Sequence, residues 1–344
     1  MAESFILNIL GSASARPNLI RNASAQVLQV RGHLFLIDCG EGTQRQLLKQ
    51  KYIQRKWAET HPGAKNLSLQ ALDAVCISHI HGDHLFGLFG LLSTMGLEGR
   101  REPLHIYAPS NFHPILKFFL SYYGEGLTYH IDFHPLKMKS PEVVYENSSM
   151  EMLSFPLKHG VDSYGYIFRE KMPSLNVKKE SVAELGLTLK EIAALKRGED
   201  VVREAGPDCE PCLENDFRRF SGCDEPLLIS CDEHTYLPYQ PRSYAYCSDT
   251  AAFDELAQWM KGVDVLYHEA TYSDENRDKA VLRGHSTTVQ AAECAARAGV
   301  KKLLVGHYSS SLSEEFLKTT YISEVKSVFP NSEMVNDGDI FEIE

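Results

Sequence analysis

Short apolar runs separated by turns open this chain. Residues 5–10 and 25–30 are predicted to be strands, and residues 34–37 follow the Arg31-Gly32 turn as a third. Strands that return through short connections favour antiparallel pairing. The first forty residues therefore predict the antiparallel opening of a β-sheet.

Later segments add helices with further strands between them. Helical spacing of apolar residues predicts helices at 41–51, 85–95, 112–123, 253–261 and 287–299. Apolar runs of strand length occur at 74–77, 104–108, 243–247 and 263–267. No internal repeat of the kind that builds a solenoid is found.

The loop behind the 74–77 run carries the strongest chemical signal in the chain. His79, His81, Asp83 and His84 fall within six residues. Imidazole nitrogens and carboxylate oxygens bind divalent zinc, and a short loop leaving a strand can turn successive side chains toward two ions. The alternative is a histidine-rich surface turn, which would leave these groups without a role.

Two ions with an open coordination position need more than four protein ligands. Three later residues each follow a strand-like apolar run, namely His159, Asp249 and His307. Any one of them taken alone could be an ordinary core or surface residue. Together with the loop they complete a set of seven candidate ligands.

The pattern H-x-H-x-D-H followed by distant His, Asp and His resembles the metallo-β-lactamase superfamily. More narrowly, the chain resembles the ribonuclease Z family of tRNA 3′-processing endonucleases, through residues 21–26, 38–44, 78–87, 163–166, 268–271 and 285–287. The resemblance implies an α/β fold, the αββα sandwich, as a single domain over 1–344. It also implies an inserted exosite arm at 170–204. Residues 205–243 form a longer connection than the family needs and are expected to be a cysteine-containing insertion within the domain.

The same resemblance implies two zinc ions (Zn²⁺) per chain. One ion would be held by His79, His81 and His159, the other by Asp83, His84 and His307, with Asp249 bridging them. Asp38 would hold the site in shape, the alternative being a simple turn aspartate.

Three residues are implied in catalysis. Asp83 would orient or deprotonate the attacking water, and His285, assisted by Glu269, would protonate the leaving 3′-oxygen. An adjacent carboxylate raises the pKa of a histidine and fixes its orientation. The alternative for His268-Glu269 is a hydrogen-bond network at a strand end.

Substrate contacts are expected from two places. Arg21 and Asn22 lie in a loop that resembles one linked in the family to sensing the CCA end of tRNA, with Leu19 where the family has lysine. Lys196 and Arg197 lie in the arm, which would grip the tRNA far from the cut. The alternative for the arm is a solvated helical hairpin without function.

Charge and composition limit these expectations. The formal net charge of −11 argues against nonspecific binding of a polyanion but leaves room for a local basic path. No apolar stretch is long enough to span a bilayer and no leader is found, so a cytoplasmic location is expected. Four cysteines could hold a structural zinc or be reduced thiols, namely Cys209, Cys212, Cys223 and Cys231.

The sequence thus predicts a zinc-dependent endoribonuclease that removes 3′ trailers from precursor tRNA. It would leave a 3′-hydroxyl on the tRNA and a 5′-phosphate on the trailer, and it would form a homodimer, as is common in the family. One alternative is a phosphodiesterase of the same fold acting on small-molecule diesters. Another is a noncatalytic RNA-binding protein, which would have no need of complete ligands or of His285.

Overall fold

The computed structural model describes residues 4–16, 18–61, 67–204 and 226–344. Contacts divide the chain into two compact units. The first comprises Glu3–Glu170 and Arg242–Glu344, and the second comprises Lys171–Pro241. The second unit spans almost the same residues as the predicted arm and the predicted cysteine-containing insertion together.

The first strands in chain order are β1 (Phe5–Gly11), β2 (Ala25–Val30), β3 (His33–Ile37), β4 (Ala74–Cys76), β5 (Leu104–Pro109), β6 (Ile131–Leu136), β7 (Glu142–Glu146), β8 (Met150–Leu157) and β9 (Ser163–Glu170). They are followed by β10 (Asn176–Val177), β11 (Val201–Arg203), β12 (Leu227–Ile229), β13 (Thr235–Tyr236), β14 (Ser243–Cys247), β15 (Val265–Glu269), β16 (Lys302–Gly306), β17 (Ser332–Met334) and β18 (Ile340–Glu342). β6 and β7 were not assigned as strands from the sequence.

The α-helices are α1 (Thr43–Trp57), α2 (Gly82–Leu85), α3 (Gly87–Leu97), α4 (His113–Tyr123), α5 (Lys179–Glu184), α6 (Leu189–Lys196), α7 (Cys231–His234), α8 (Asp254–Trp259), α9 (Arg277–Arg283), α10 (Thr288–Ala298), α11 (Glu314–Phe316) and α12 (Ile322–Val328). The predicted helix at 85–95 is divided between α2 and α3. In the described part of the chain, no helix combines the length and apolarity needed to cross a membrane.

Two seven-stranded sheets build the first unit. Their strand orders are β18-β1-β2-β3-β4-β5-β6 and β17-β16-β15-β14-β9-β8-β7. The predicted antiparallel opening is confirmed in β1, β2 and β3. In the second sheet β14, β15 and β16 run parallel, and β8 has the same direction because it is separated from β14 by one antiparallel strand. The loops that follow these four strands therefore leave the same edge of the sheet.

Side chains alternate between two buried layers along the strands. Phe35 and Ile37 of β3 lie between the sheets, where the ring of Phe35 is 5.0 Å from that of Phe168 in the second sheet. Leu34 and Leu36 point instead into the apolar layer shared with α3 and α4. Helices α8, α10 and α12 cover the second sheet in the same way. This order of layers confirms the predicted αββα sandwich.

The second unit has its own small core, formed by Leu187, Leu195, Ile229 and Cys231. β11 from the predicted arm pairs with β12 from the predicted cysteine-containing insertion, so the described parts of both segments fold together. The buried thiol of Cys231 lies 3.3 Å from the carbonyl oxygen of Leu195. The other three cysteines of the predicted structural zinc lie outside the described residues.

Two glycines of α3 give a matched test of close packing. A Cβ at Gly87 would lie 2.1 Å from the carbonyl oxygen of Gly40, whereas a Cβ at Gly90 would meet nothing within 4 Å. We expect Gly87→Ala to lower the free energy of unfolding by more than about 2 kcal/mol, because backbone must move. Gly90→Ala should raise it by about 0.5–1 kcal/mol through helix propensity. Chemical denaturation of both variants checks this, and equal effects would contradict it.

Candidate metal centre

All seven predicted ligands meet at one place in the first unit. Four come from the loop and short helix after β4, which carry His79, His81, Asp83 and His84. The others follow strand ends in the second sheet, with His159 after β8, Asp249 after β14 and His307 after β16. Residues far apart in sequence are thus brought within ligand distance of one another in two main groups.

The first group joins His79, His81, His159 and Asp249. Nε2 of His79 lies 3.0 Å from Nδ1 of His81, which lies 3.3 Å from Nε2 of His159. Oδ2 of Asp249 is 3.6 Å from Nε2 of His79 and 3.9 Å from Nε2 of His159. Ligand atoms on a tetrahedral zinc ion with bonds of about 2.0–2.1 Å stand about 3.3 Å apart, so these spacings suit such an ion.

The second group joins Asp83, His84 and His307. The Nε2 atoms of His84 and His307 are 3.1 Å apart, and Oδ2 of Asp83 lies 3.5 Å and 3.4 Å from them. The other oxygen of Asp249, Oδ1, lies 3.6 Å from His84 Nε2 and 3.3 Å from His307 Nε2. The carboxylate of Asp249 therefore presents one oxygen to each group, which is the arrangement a bridging ligand needs.

Hydrogen bonds fix the direction of three imidazoles. Nδ1 of His84 is 2.7 Å from the carboxylate of Asp38, and Nδ1 of His159 is 2.8 Å from the carbonyl oxygen of Gly284. Nδ1 of His307 is 2.9 Å from the hydroxyl of Thr271. Because these acceptors take the Nδ1–H groups, the Nε2 atoms are turned toward the centre of the site.

The charges of the site call for a cation at this point. Burial opposes protonation of His84, but Asp83, Asp249 and Asp38 outweigh it and hold its pKa well above the usual range. Oδ1 of Asp249 is buried and has no hydrogen-bond partner in the described part of the chain. A bound metal ion would supply the positive charge and satisfy this oxygen, so the donor set fits the predicted metal.

Neutral imidazole is the form that binds a metal, and the first group favours it. Burial lowers the pKa of His79 well below its ordinary value, and the neighbouring His84 and His159 lower it further. Burial and His159 also lower the pKa of His81. Both rings are therefore ready to bind a cation without first losing a proton.

Asp38 lies under the metal loop, fully buried. Its Oδ1 accepts the backbone N–H of Ser78 at 2.7 Å, and its Oδ2 accepts the hydroxyls of Ser78 at 2.9 Å and Tyr246 at 2.6 Å as well as the His84 Nδ1–H. Its backbone takes the left-handed conformation with φ of 55°, as does that of the ligand His307 with φ of 65°. Non-glycine residues in this region are strained, and strain of this kind clusters at functional sites.

The turn after β3 also packs directly on the metal loop. The N–H of Cys39 donates to the carbonyl oxygen of His84 at 2.7 Å, and a Cβ at Gly40 would lie 2.3 Å from the carbonyl oxygen of Asp83. Only glycine leaves room for this approach. The turn at 38–40 therefore fixes the loop from below, both through the carboxylate of Asp38 and through its backbone.

His285 and Glu269 form the predicted pair beside the metal groups. Nδ1 of His285 is 3.2 Å from Oε1 of Glu269, which is fully buried. Burial opposes a charge on His285, but Glu269 and Asp249 outweigh it and raise the pKa of the imidazole to about 9. Burial would raise the pKa of Glu269, but His285, with His307, lowers it to about 2. Both shifts favour an imidazolium hydrogen-bonded to a carboxylate.

The predicted substrate contacts lie in different surroundings. Arg21 is 4% exposed, and its guanidinium donates to Glu314, Asn336, Ser12 and the carbonyl oxygen of Val335. The side chain of Asn22 donates to Asp337 at 2.7 Å. Lys196 and Arg197 are exposed in the second unit, and Arg197 pairs with Glu199 at 2.7 Å. Their contacts with RNA stay predictions.

A cavity of about 450 Å³ opens above the metal groups. It is lined by five of the seven candidate ligands and by His285, and also by Ser14, Arg16, Tyr272, Lys279, Arg283 and the three serines 309–311. No role was predicted from the sequence for Arg16, Tyr272 or Lys279. They come from segments whose only sequence signal is nearness to a motif.

Two buried residues of the site were also missed. The hydroxyl of Thr271 donates to Oε2 of Glu269 at 2.8 Å and accepts from His307, which couples the acid pair to a metal ligand. Tyr246 in β14 lies three residues before Asp249, and its hydroxyl donates to Asp38. The available signal was a hydroxyl within three residues of a predicted site residue, because a buried hydroxyl requires a partner.

Comparisons with known proteins show the family to which the chain belongs. Residues 20–161 match the family described as the Metallo-beta-lactamase superfamily, and residues 237–308 match the Beta-lactamase superfamily domain. Ribonuclease Z of Bacteroides fragilis is 34% identical over 336 residues, which cover 98% of each chain. Ribonuclease Z of Cytophaga hutchinsonii is 34% identical over 344 residues, covering 98% of this chain and 96% of that one.

Among solved structures, the short form of human tRNase Z is similar with a TM-score of 0.64. It is 21% identical, and the match covers 98% of this chain and 99% of the human one, which supports the fold. The level of identity to the bacterial relatives over almost the whole length supports the narrower assignment. The chain belongs to the ribonuclease Z family of the metallo-β-lactamase superfamily.

Proposed function

We propose that this protein is a zinc-dependent endoribonuclease that removes 3′ trailers from precursor tRNA. The observation that carries the proposal is the placement of His285, held by Glu269, on the same cavity as both metal groups. A site that only bound RNA would need neither the acid pair nor the metal groups. The relatives named Ribonuclease Z support the RNA substrate. A homodimer and a cytoplasmic location stay predictions.

Two zinc ions per chain fit the two ligand groups, with Asp249 shared. When bound, they supply Lewis-acid stabilisation of phosphate charge and lower the pKa of a water molecule. The residues around them keep the ligands aligned: Asp38 for His84, Gly284 for His159 and Thr271 for His307. Such outer partners set ligand direction and basicity.

The chain's own acid and base complete the reaction. Glu269 engages Nδ1 of His285, which leaves Nε2 as the nitrogen that donates a proton to the leaving 3′-oxygen. On the other side, Asp83 is held as a carboxylate because His84 and His307 lower its pKa despite burial. An ionised carboxylate at this position can orient the attacking water or take its proton. The products are a 3′-hydroxyl on the tRNA and a 5′-phosphate on the trailer.

Local charge resolves the conflict between an acidic chain and an anionic substrate. The net charge is −11, but Arg16, Lys279 and Arg283 all line the cavity that contains the candidate acid. Cations at the rim of a cleft attract phosphate locally even when the whole molecule repels it.

Incubation with precursor tRNA and, separately, with bis(p-nitrophenyl) phosphate tests the proposal. We expect endonucleolytic release of the trailer, with a 3′-hydroxyl on the tRNA shown by periodate oxidation and end labelling. Hydrolysis of the small diester without any cleavage of the RNA would favour a small-molecule phosphodiesterase. No turnover of either substrate at saturating zinc would favour a noncatalytic RNA-binding protein.

Of the predictions that test the proposed function, the first concerns metal content. Zinc-saturated protein should contain two ions per chain by elemental analysis, and Asp249→Ala should weaken both sites because each loses one oxygen. Losing an outer hydrogen-bond partner of a ligand typically costs about 10- to 100-fold in metal affinity, so losing Asp249 itself should cost at least that much, measured by competition with a chelator. Asp254→Ala, which removes a side chain that is 98% exposed, is the control. One ion or fewer in the saturated parent protein would refute the dinuclear site.

The second prediction separates acid catalysis from metal chemistry. His285→Ala should slow cleavage of precursor tRNA by about 10²- to 10⁴-fold, the usual contribution of a general acid. Hydrolysis of the nitrophenyl diester should fall far less, because nitrophenolate leaves without a proton. His130→Ala, at a histidine that is 77% exposed, is the control. Equal losses on the two substrates would remove His285 from the acid role.

The third prediction concerns the second unit as a remote contact for tRNA. The N–H of Glu170 donates to the carbonyl oxygen of Arg242 at 2.9 Å, so the ends of the first unit are neighbours and a short Gly-Ser linker can replace Lys171–Pro241. We expect kcat/KM on precursor tRNA to fall by about 10-fold or more, with a weaker salt dependence, because phosphate contacts are lost.

Hydrolysis of the nitrophenyl diester serves as the internal control for this replacement, since the metal groups and the acid pair lie in the first unit. Lys196→Ala combined with Arg197→Ala tests the two predicted contacts with the unit left in place. Unimpaired processing by the replacement variant would show that the second unit does not contribute to tRNA binding.

A further inference from the structure

Helix α9 is anchored directly to the metal centre. It ends at Gly284 in the left-handed conformation, with φ of 68°, and the N–H of His285 returns to the carbonyl oxygen of Ala280 at 2.9 Å. The carbonyl oxygen of Gly284 in turn holds the Nδ1–H of His159. The last turn of α9 is therefore fixed between a candidate metal ligand and the candidate acid.

This helix brings two cations to the cavity. Lys279 and Arg283 are four residues apart, so they share one face of the helix, and both line the cavity and are exposed. Within the described ranges, neither has a carboxylate within 4.0 Å. By contrast, Arg277 of the same helix pairs with Asp274 at 2.8 Å and lines a different cavity. Two of the three basic residues of α9 are thus left without an internal anion.

Tyr272 connects these cations to the acid pair. The Nζ atom of Lys279 lies 5.1 Å from the centre of the Tyr272 ring, and the ring of His285 lies 5.9 Å from the same centre, edge to face. All three side chains line the same cavity. The positive charges of α9 therefore lie on the His285 side of the site.

The position of the leaving oxygen determines which part of the RNA lies on the His285 side of the site. His285 gives its proton to the 3′-oxygen that leaves, and this oxygen belongs to the nucleotide on the 5′ side of the cut. The next anion along the strand in that direction is the 5′-phosphate of the same nucleotide. Ammonium and guanidinium groups are the usual protein partners of phosphate.

We propose that Lys279 and Arg283 form a subsite for the phosphate one position upstream of the scissile phosphate. This inference rests on the proposed function and extends it by assigning the direction of the RNA strand across the cavity. The last nucleotide of the tRNA body lies along α9, and the trailer leaves on the opposite side of the metal groups.

Precursor tRNAs with a single neutral methylphosphonate linkage test this assignment. One substrate carries it at the phosphate immediately upstream of the cut and another at the phosphate immediately downstream. For the unmodified substrate, Lys279→Ala combined with Arg283→Ala should lower kcat/KM by about 10-fold, as expected for two exposed charge contacts. The slope of log(kcat/KM) against log salt concentration should become shallower by about 1.

The modified substrates give the decisive comparison. The upstream methylphosphonate should lower kcat/KM of the parent enzyme by about the same factor as the double substitution does. It should lower kcat/KM of the double variant little, because the contact is already absent. The downstream methylphosphonate should affect both enzymes equally. Arg277→Ala is the matched control and should leave all rates unchanged, and Lys279→Arg with Arg283→Lys should restore most of the activity.

Two failures can be told apart. If the parent enzyme cleaves precursor tRNA but both enzymes lose the same factor with the upstream methylphosphonate, the subsite is wrong and the proposed function stands. If the double variant instead tolerates the downstream methylphosphonate and stays sensitive to the upstream one, the assigned strand direction is reversed. If the parent enzyme cleaves no precursor tRNA under zinc saturation, the proposed function and the subsite both fall.

Discussion

One buried carboxylate is the constraint on which the site depends. Asp38 comes from the end of a strand in the first sheet, and it accepts hydrogen bonds from the metal loop through Ser78 and His84 and from the second sheet through Tyr246. A buried charge is tolerated only when such partners surround it. The same interaction that satisfies Asp38 therefore joins the two sheets beneath the loop and sets the direction of one candidate ligand.

The other ligands are directed by the same principle with different acceptors. A backbone carbonyl of Gly284 orients His159, and the hydroxyl of Thr271 orients His307 while donating to Glu269. Thr271 thereby places the metal groups and the acid pair in one hydrogen-bond network. The positions of His307 and Glu269 are therefore coupled, because a shift of the Thr271 hydroxyl would move both side chains.

Negative and positive side chains lie on different sides of the cavity. Carboxylates are concentrated at the metal groups, where Asp83 and Asp249 face the imidazoles, and unpaired cations are concentrated on α9. A polyanion approaching an acidic protein is attracted by a local group of positive charges such as the one on α9. The acidic balance of the chain then contributes to selectivity, because phosphate is attracted at the cavity rather than over the whole surface.

The sequence by itself determined the metal loop and the seven candidate ligands, because these depend on local spacing or on strand ends that short apolar runs reveal. The acid pair and the αββα class came from the resemblance of several motifs to a known family. The sequence did not predict β6 and β7, whose residues are mostly half-buried or exposed and lack a clear alternation. Only the tertiary structure decided which nitrogen of each imidazole faces the centre and that Asp249 presents one oxygen to each group. It also decided that the guanidinium of Arg21 is buried and that Lys279 lines the same cavity as His285. These properties arise from contacts between residues far apart in the chain, which no local pattern encodes.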